Sequence, residues 1–241
     1  MSVTPATEPV SRVDAALLAR MSVNPWFAAL LPADRQGLLH QAERMRLQPG
    51  EMLFRQGDAL GGFYGLLSGR LKISSLREDG REAIFVLLEV GNWFGEISLL
   101  DRQPRTHDAT ALVASEVLVV PQAAFAALME GAAFARAIAH MLAGRIRSLY
   151  GMVEDAALRS TRARIARRLL LLARGDVTMA DHARPVVPVS QEALAMMLGM
   201  TRQTLSKELK VLVAEGAVAL RYRRIEITSA ARLKALSDPS R

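Results

Sequence analysis

Apolar residues change their spacing three times along this 241-residue chain. Residues 14–31 and 34–43 carry helical spacing broken by Pro25 and Pro32, predicting short helices. From about Met45 the texture turns to short apolar runs cut by Pro49-Gly50, Gly57-Asp58, Gly61-Gly62, Ser68-Gly69, Asp79-Gly80 and Gly91-Asn92. Asp79-Gly80, between apolar runs 71–76 and 83–88, is a strong hairpin signal. Seven or eight strands at this spacing predict a compact barrel or jelly roll ending near Val120. Pro121 then opens a short helix and Gly131 punctuates before a long one. Residues 132–158 hold no proline and would span about 40 Å as one helix. Residues 161–173 predict another helix with Ile165, Leu169 and Leu172 inward, and 174–188 a loop or short hairpin.

The spacing tightens again after Val189. Ser190 is a good N-cap, Glu192 suits the positive end of a helix, and Leu194, Met197 and Leu198 form an inward face. Gly199 ends that helix cheaply and Thr201 caps a second one, with Leu205, Leu209, Leu212 and Val213 at helical spacing. The opposite side of the second helix carries Arg202, Gln203, Ser206, Lys207 and Lys210. Two short helices about a glycine turn, the second polar and basic outside, make a helix-turn-helix that can lay one helix in the DNA major groove. A solvated helical hairpin is the plainer alternative. After Gly216, residues 217–220 and 225–228 around Arg221-Tyr-Arg-Arg224 predict a β-hairpin, a wing whose Arg221, Arg223 and Arg224 would meet phosphate.

Charge separates these alternatives. Residues 161–241 hold 15 Lys and Arg against 7 Asp and Glu, whereas the first 160 hold 16 against 17. The whole positive excess therefore lies on the helix-turn-helix segment, the footprint of a polyanion partner. Composition, 51% hydrophobic and 23% charged, is that of a globular protein, and no apolar run is long enough to cross a membrane. The expected setting is cytoplasmic with no membrane partner. There are no cysteines, so disulfides and thiolate metal sites are excluded. His40, His107, His140 and His182 are scattered, and neither a Ser-His-Asp nor a P-loop pattern occurs, so no metal, catalytic residue or enzyme activity is expected.

In the long helix, Ile138, Leu142, Arg145, Leu149, Met152 and Ala156 follow the four-three spacing of a coiled-coil seam. A helix this long with so narrow a stripe pairs with a copy of itself, and packing against its own barrel is the alternative. The expected fold class is α+β. Residues 1–20 are assigned to a flexible tail, although helical spacing sets in at Asp14. Residues 21–131 are expected to form the jelly roll, a double-stranded β-helix. Residues 132–158 form the dimerisation helix and 159–241 the winged helix-turn-helix.

This order resembles the Crp–Fnr regulators from about Asn24 to Ile227. Phe54-Arg-Gln-Gly-Asp58 and Tyr64-Gly-Leu-Leu-Ser-Gly69 look like the family's early barrel strands. Phe94-Gly-Glu-Ile-Ser-Leu-Leu-Asp101, followed by Pro104-Arg-Thr106, looks like its phosphate-binding cassette. The resemblance implies a homodimeric, sequence-specific transcriptional regulator on near-palindromic double-stranded DNA, with RNA polymerase as a further partner. It puts Arg202, Gln203 and Lys207 at base edges, with Ser190, Thr201, Thr204 and the wing arginines on phosphate. Family members often carry Arg-Glu where this chain has Arg202-Gln203, so base preference at Gln203 does not transfer.

The same resemblance marks out an effector pocket from Gly95, Glu96, Ile97, Ser98, Arg105, Thr106, Arg145, Leu149 and Tyr150. Gly95 can present backbone N–H groups to an anion, and Arg105 adds a forked cation. In cyclic-AMP-binding members the residue matching Glu96 meets a ribose hydroxyl, and those matching Arg105 and Thr106 hold the cyclic phosphate. Arg145 needs an acceptor, and Glu96 is the one implied. Where those members place Thr-Ser against adenine, this chain has Leu149-Tyr150. The effector thus stays open between a cyclic nucleotide such as cyclic AMP, another small ligand, haem or a gas, and none. A cyclic-nucleotide module that does not act on DNA is a further alternative.

Overall fold

A computed structural model describes residues 7–10, 13–176 and 183–238. The chain begins with β1 (Thr7–Pro9), α1 (Ala15–Met21), α2 (Pro25–Ala28) and α3 (Pro32–His40). Asn24 caps α2 by accepting from Trp26 N–H at 2.9 Å, and Pro25 sits at its first turn, where a missing N–H costs nothing. The tail expected over 1–20 is therefore shorter than its assignment. Thr7–Pro9 pairs with a barrel strand, and α1 buries Leu17 and Met21. Of the expected tail, residues 1–6 and 11–12 lie outside the described residues.

The barrel strands are β2 (Glu43–Leu47), β3 (Met52–Phe54), β4 (Phe63–Ser68), β5 (Leu71–Leu76), β6 (Glu82–Leu88) and β7 (Trp93–Phe94). After helix α4 (Glu96–Asp101) come β8 (Asp108–Ala111) and β9 (Ser115–Val120). All pairs are antiparallel, in two sheets ordered β1-β2-β9-β4-β7 and β3-β8-β5-β6. Their facing sides enclose Leu47, Leu66, Leu71, Phe94 and Val117. Outside the first sheet, α1 to α3, α5 (Gln122–Met129) and the start of α6 (Ala132–Leu158) cover an aromatic cluster. In it Trp93 stacks between Phe27 and Phe63, at 5.5 and 5.2 Å between ring centroids.

A bulge decides how the two halves of the chain meet. Ile73 pairs with Val86 and Ser74 with Ile84, which leaves Phe85 unpaired on β6. The extra residue breaks the two-residue alternation of the strand. Val86 and Leu88 face the barrel core, while Ile84 and Leu87, three apart, both enter the core of the C-terminal domain.

That domain holds α7 (Thr161–Ala173), β10 (Val186–Val187), α8 (Gln191–Leu198), α9 (Arg202–Ala214), β11 (Val218–Arg221), β12 (Arg224–Ile227) and α10 (Ala230–Ser237). The expected caps form: Ser190 accepts from Ala193 N–H at 3.1 Å and Thr201 from Thr204 N–H at 3.1 Å. Gly199 closes α8 at φ 62°, a left-handed conformation natural to glycine. Strand β10 lies in the segment expected as a loop or short hairpin and completes a sheet ordered β10-β12-β11, while residues 177–182 of that segment lie outside the described residues. Helix α10 was not expected. It packs on α7 through buried Leu233.

Strand β6 is an edge strand, and an unpaired edge exposes backbone donors and acceptors. Here the C-terminal domain covers it with side chains. Asp176 accepts from Leu87 N–H at 3.2 Å, and Arg168 donates to Phe85 C=O at 3.1 Å. Arg168 and Asp176 also pair with each other at 2.8 Å, both almost fully buried. Burial pushes the Asp176 carboxyl above its ordinary value, against the opposing pull of Arg168 and of Leu87 N–H. Arg184 to Glu89 at 2.6 Å and Arg70 to the Pro188 carbonyl at 2.6 Å complete the clasp. Among the described residues no single helix is long and apolar enough to cross a membrane.

Candidate functional site

Helix α9 presents one polar face because its apolar residues all turn inward. Leu205, Leu209 and Leu212 are buried against α7 and α8, leaving Arg202, Gln203, Ser206, Lys207 and Lys210 to line one open concavity. Arg202, Gln203, Lys207 and Lys210 are exposed and make no ion pair among the described residues. Free cations aligned on one helical face suit a polyanion. Glu208, the acidic residue of this helix, is turned aside and holds Arg162 of α7 at 2.9 Å. Arg164 seats α8 by donating to the Leu198 carbonyl at 2.7 Å. Ser190 and Thr201 spend their oxygens on caps, so toward phosphate they keep only a hydroxyl hydrogen. Thr204 lies 3.0 Å from the Thr201 hydroxyl. Arg221, Arg223 and Arg224 all stand exposed at the wing tip.

In the barrel the structure gathers Gly95, Glu96, Ser98, Arg105 and Arg145. Gly95 opens α4 at φ 95°, and a Cβ there would come within 2.8 Å of the Tyr64 ring and 3.1 Å of the Gly62 carbonyl. Arg105, 3% exposed, places its guanidinium carbon over two rings, 4.6 Å from the centroid of Phe54 and 5.3 Å from that of Tyr64. It donates to the carbonyls of Gly95 at 2.8 Å and Gly62 at 2.9 Å. Glu96 is fully buried, and its Oε1 pairs with Arg145 Nη1. Arg145 also donates to the Trp93 carbonyl at 2.5 Å, tying α6 to the strand before α4. Glu96 Oε2 and Arg105 Nε are buried without partners. A buried carboxylate oxygen lacking a donor is costly. Ser98 is buried, its hydroxyl 3.4 Å from the Pro104 carbonyl.

Four expected effector-site residues are exposed in the single chain. Ile97 and Thr106 are exposed, and on α6 Leu149 and Tyr150 are 58% and 73% exposed. Tyr64 and Phe54 were not picked out as pocket residues, although both lie in barrel segments singled out in the sequence. The one available signal, the Gly61-Gly62 pair followed by Phe63 and Tyr64, points to Tyr64 and leaves Phe54 without one.

The exposed apolar stripe of α6 is offset from the expected seam. Ile138 is buried in the barrel's own aromatic cluster, Leu142 packs at its border, and Arg145 turns to Glu96. Ile146, Leu149 and Val153 are exposed at 52%, 58% and 65%. The free stripe thus runs Ala139, Leu142, Ile146, Leu149, Val153 and Ala156. It drops Ile138, Arg145 and Met152, and keeps the four-three alternation. Ile138 was misassigned because an apolar residue near the start of α6 fits either face by spacing alone. Among the described residues, no cluster of three or more His, Asp or Glu could hold a metal.

Comparison with known proteins agrees with both halves. Residues 44–132 match the cyclic nucleotide-binding domain and residues 163–236 the Crp-like helix-turn-helix domain. The Cyclic AMP receptor protein of Thermus thermophilus is 29% identical over 218 residues, spanning 90% of this chain and 98% of that protein. The transcriptional regulator LdrP of the same organism is 30% identical over 184 residues, spanning 76% of this chain and 91% of LdrP. The solved structure of FixK2 from Bradyrhizobium japonicum shares the fold, with a TM-score of 0.71 at 22% identity over 81% of this chain and 96% of that one. With a cyclic nucleotide-binding barrel, a long helix and a Crp-like helix-turn-helix in one polypeptide, the chain belongs to the Crp–Fnr family of DNA-binding transcriptional regulators.

Proposed function

We propose that two copies pair along α6 through Ala139, Leu142, Ile146, Leu149, Val153 and Ala156, and so hold two α9 helices about 34 Å apart, one turn of DNA. The target is then a near-palindromic duplex, with RNA polymerase the protein partner at a promoter. Arg202 reads guanine through two donors, Gln203 reads adenine, and Lys207 reaches a neighbouring base edge. Ser190, Thr201, Thr204, Lys210 and the wing arginines position the domain on phosphate. The observation that carries this reading is the row of unpaired polar and cationic side chains on one face of α9. Selection from a random duplex library, followed by mobility shift with Arg202→Ala, tests it. The variant should lose about 1–3 kcal/mol on the selected site and relax preference at one base pair. Equal loss on selected and random DNA would refute the base-reading role.

The effector reading is a small ligand with sugar hydroxyls and an anionic group, of which cyclic AMP is the simplest. It rests on the unpartnered Glu96 Oε2 beside Arg105. A second reading, DNA binding without any ligand, is favoured by the two carbonyls that already occupy Arg105 and by the hydrocarbon Leu149. Thermal-shift titration of the full chain with cyclic mononucleotides and cyclic dinucleotides separates them. A ligand that raises both the midpoint and the DNA affinity supports the first, and full-strength DNA binding that no ligand alters supports the second.

A further inference from the structure

The wing ends in a turn that folding alone does not explain. The last ladder pair is Arg221 with Arg224, so only Tyr222 and Arg223 form the loop. Two-residue hairpin loops favour glycine or asparagine where φ is positive. Arg223 takes φ 55° instead, a conformation disfavoured for a long side chain. Tyr222 is 89% exposed, the most exposed large apolar side chain among the described residues. Arg223 and Arg224 make no ion pair among the described residues, and Arg221 has only Glu226, at 3.4 Å.

The stem beneath is rigid. Ile225 and Val218 are buried, and β10 pairs with β12 only at Ile225 and Glu226, so the tip projects beyond the third strand. The hairpin leaves α9 directly through Gly216. Its four-residue strands are about 13 Å long, comparable to the major-groove width of about 12 Å. A tip carried beside a helix in the major groove can therefore pass one phosphate strand and meet the adjoining minor groove.

We infer that this tip enters the minor groove flanking each half-site, with Arg223 in the groove and Tyr222 wedged against the base edges or sugars, so that A·T flanks are preferred. The inference rests on the DNA-binding reading above. Phosphate contact alone calls for the arginines and not for an exposed aromatic ring on a strained turn. A narrow A·T minor groove concentrates negative potential that draws in arginine, and apolar side chains can wedge there. At about 6 Å the groove admits a turn but no helix. The amino group of guanine, the donor that distinguishes G·C in this groove, would obstruct the wedge.

The test uses the full-length dimer and a core site selected from random duplexes. Three probes share that core and carry A·T, inosine·cytosine or G·C pairs under the wing. Inosine·cytosine has the minor groove of A·T and the major-groove edge of G·C. The expected result is equal binding to the first two and roughly tenfold weaker binding to the third, with Tyr222→Ala abolishing the difference. Arg223→Gly relieves the turn and should keep or raise the thermal midpoint while losing the flank preference. Inosine·cytosine as weak as G·C, or three equal probes with the wild-type protein, would overturn the inference while leaving the core reading intact. Failure to bind any duplex would overturn both.

Discussion

Replacing Arg168 by Met isolates one charge in a place where water cannot reach it. Asp176 would keep the Leu87 N–H at 3.2 Å but lose its cation at 2.8 Å. Breaking a buried pair by removing one partner typically costs about 3–5 kcal/mol. Asp176 can escape by taking a proton, and that escape sets a ceiling. Neutralising a carboxyl with the ordinary value of 3.8 costs about 4 kcal/mol at pH 7 and under 2 kcal/mol at pH 5. Arg168 itself leaves Nε and Nη1 buried without partners, so its removal also relieves a cost. The expected loss is then about 2–3 kcal/mol at pH 7, at least halved at pH 5. The sign follows from burial: the lone carboxyl titrates well above its unfolded value, so the penalty is present at neutral pH and fades as pH falls toward that of the unfolded chain.

Adding Asp176→Asn should restore stability to within about 1 kcal/mol and remove the pH dependence. Asparagine still accepts from Leu87 N–H and tolerates the φ of 53° at this position. Urea unfolding at one fixed protein concentration and two pH values reads both effects. Amide exchange at Leu87 adds a local measure, because the domain can also relieve the charge by lifting off β6. A penalty that does not change between pH 7 and pH 5, or a double variant no better than the single one, would refute the reasoning.

Three further outcomes follow from the same geometry. Ile146→Glu places a charge on the exposed apolar stripe of α6 and should convert the dimer to monomer at micromolar concentration, read by sedimentation, with specific DNA affinity lost alongside. Arg105→Ala should abolish any effector dependence of DNA binding while leaving the sedimentation coefficient unchanged. It removes the stacking on Phe54 and Tyr64, so thermal stability should also fall. His107, edge-on to Phe85 at 4.7 Å, is held below its ordinary value by burial, with Asp108 pulling the other way. Stability from the neutral ring is present above about pH 6.5 and falls as pH drops toward the lowered folded value, by at most about 1.4 kcal/mol per pH unit. His107→Gln should remove that slope in pH-resolved urea titrations.

Features set within one or two turns of chain were the legible ones. Ser190, Gly199 and Thr201 each act on backbone groups three or four residues away, so residue type and spacing sufficed to place α8 and α9. The proline-free run after Gly131 likewise fixed α6. What sequence reasoning missed depends on partners distant in the chain. Arg168 and Asp176 meet β6 more than eighty residues away, and only the bulge at Phe85 sends Ile84 and Leu87 toward them. The aromatic clamp on Arg105 joins Phe54 and Tyr64 from separate strands. The phase of the α6 stripe failed for a related reason. The first turns of that helix bury Phe134 and Ile138 in its own barrel whereas Ile146, Leu149 and Val153 stand exposed, and spacing alone did not separate the two faces.

That division of α6 suggests how the pocket and the DNA-binding face communicate. A ligand biases two arrangements only through a difference in its contacts with them. Arg145 is where such a difference can arise, because it holds Glu96 and the Trp93 carbonyl while its neighbour Ile146 lies in the free stripe. A hydroxyl donated to Glu96 Oε2 would share the carboxylate with Arg145 on Oε1 and weaken that pair, and a shift of the guanidinium would act on the helix beside Ile146 of the free stripe. The clasp on β6 opposes that motion from the far side, because α7 follows α6 after a single break at Arg159–Ser160 and is held to the barrel edge by Arg168 and Asp176. The C-terminal domain is therefore tied to the barrel at two places, through Arg145 of α6 and through the clasp on β6. Loosening the second should make DNA binding more sensitive to changes at the first, so Arg168→Met/Asp176→Asn should respond to a pocket ligand at least as strongly as the wild-type chain.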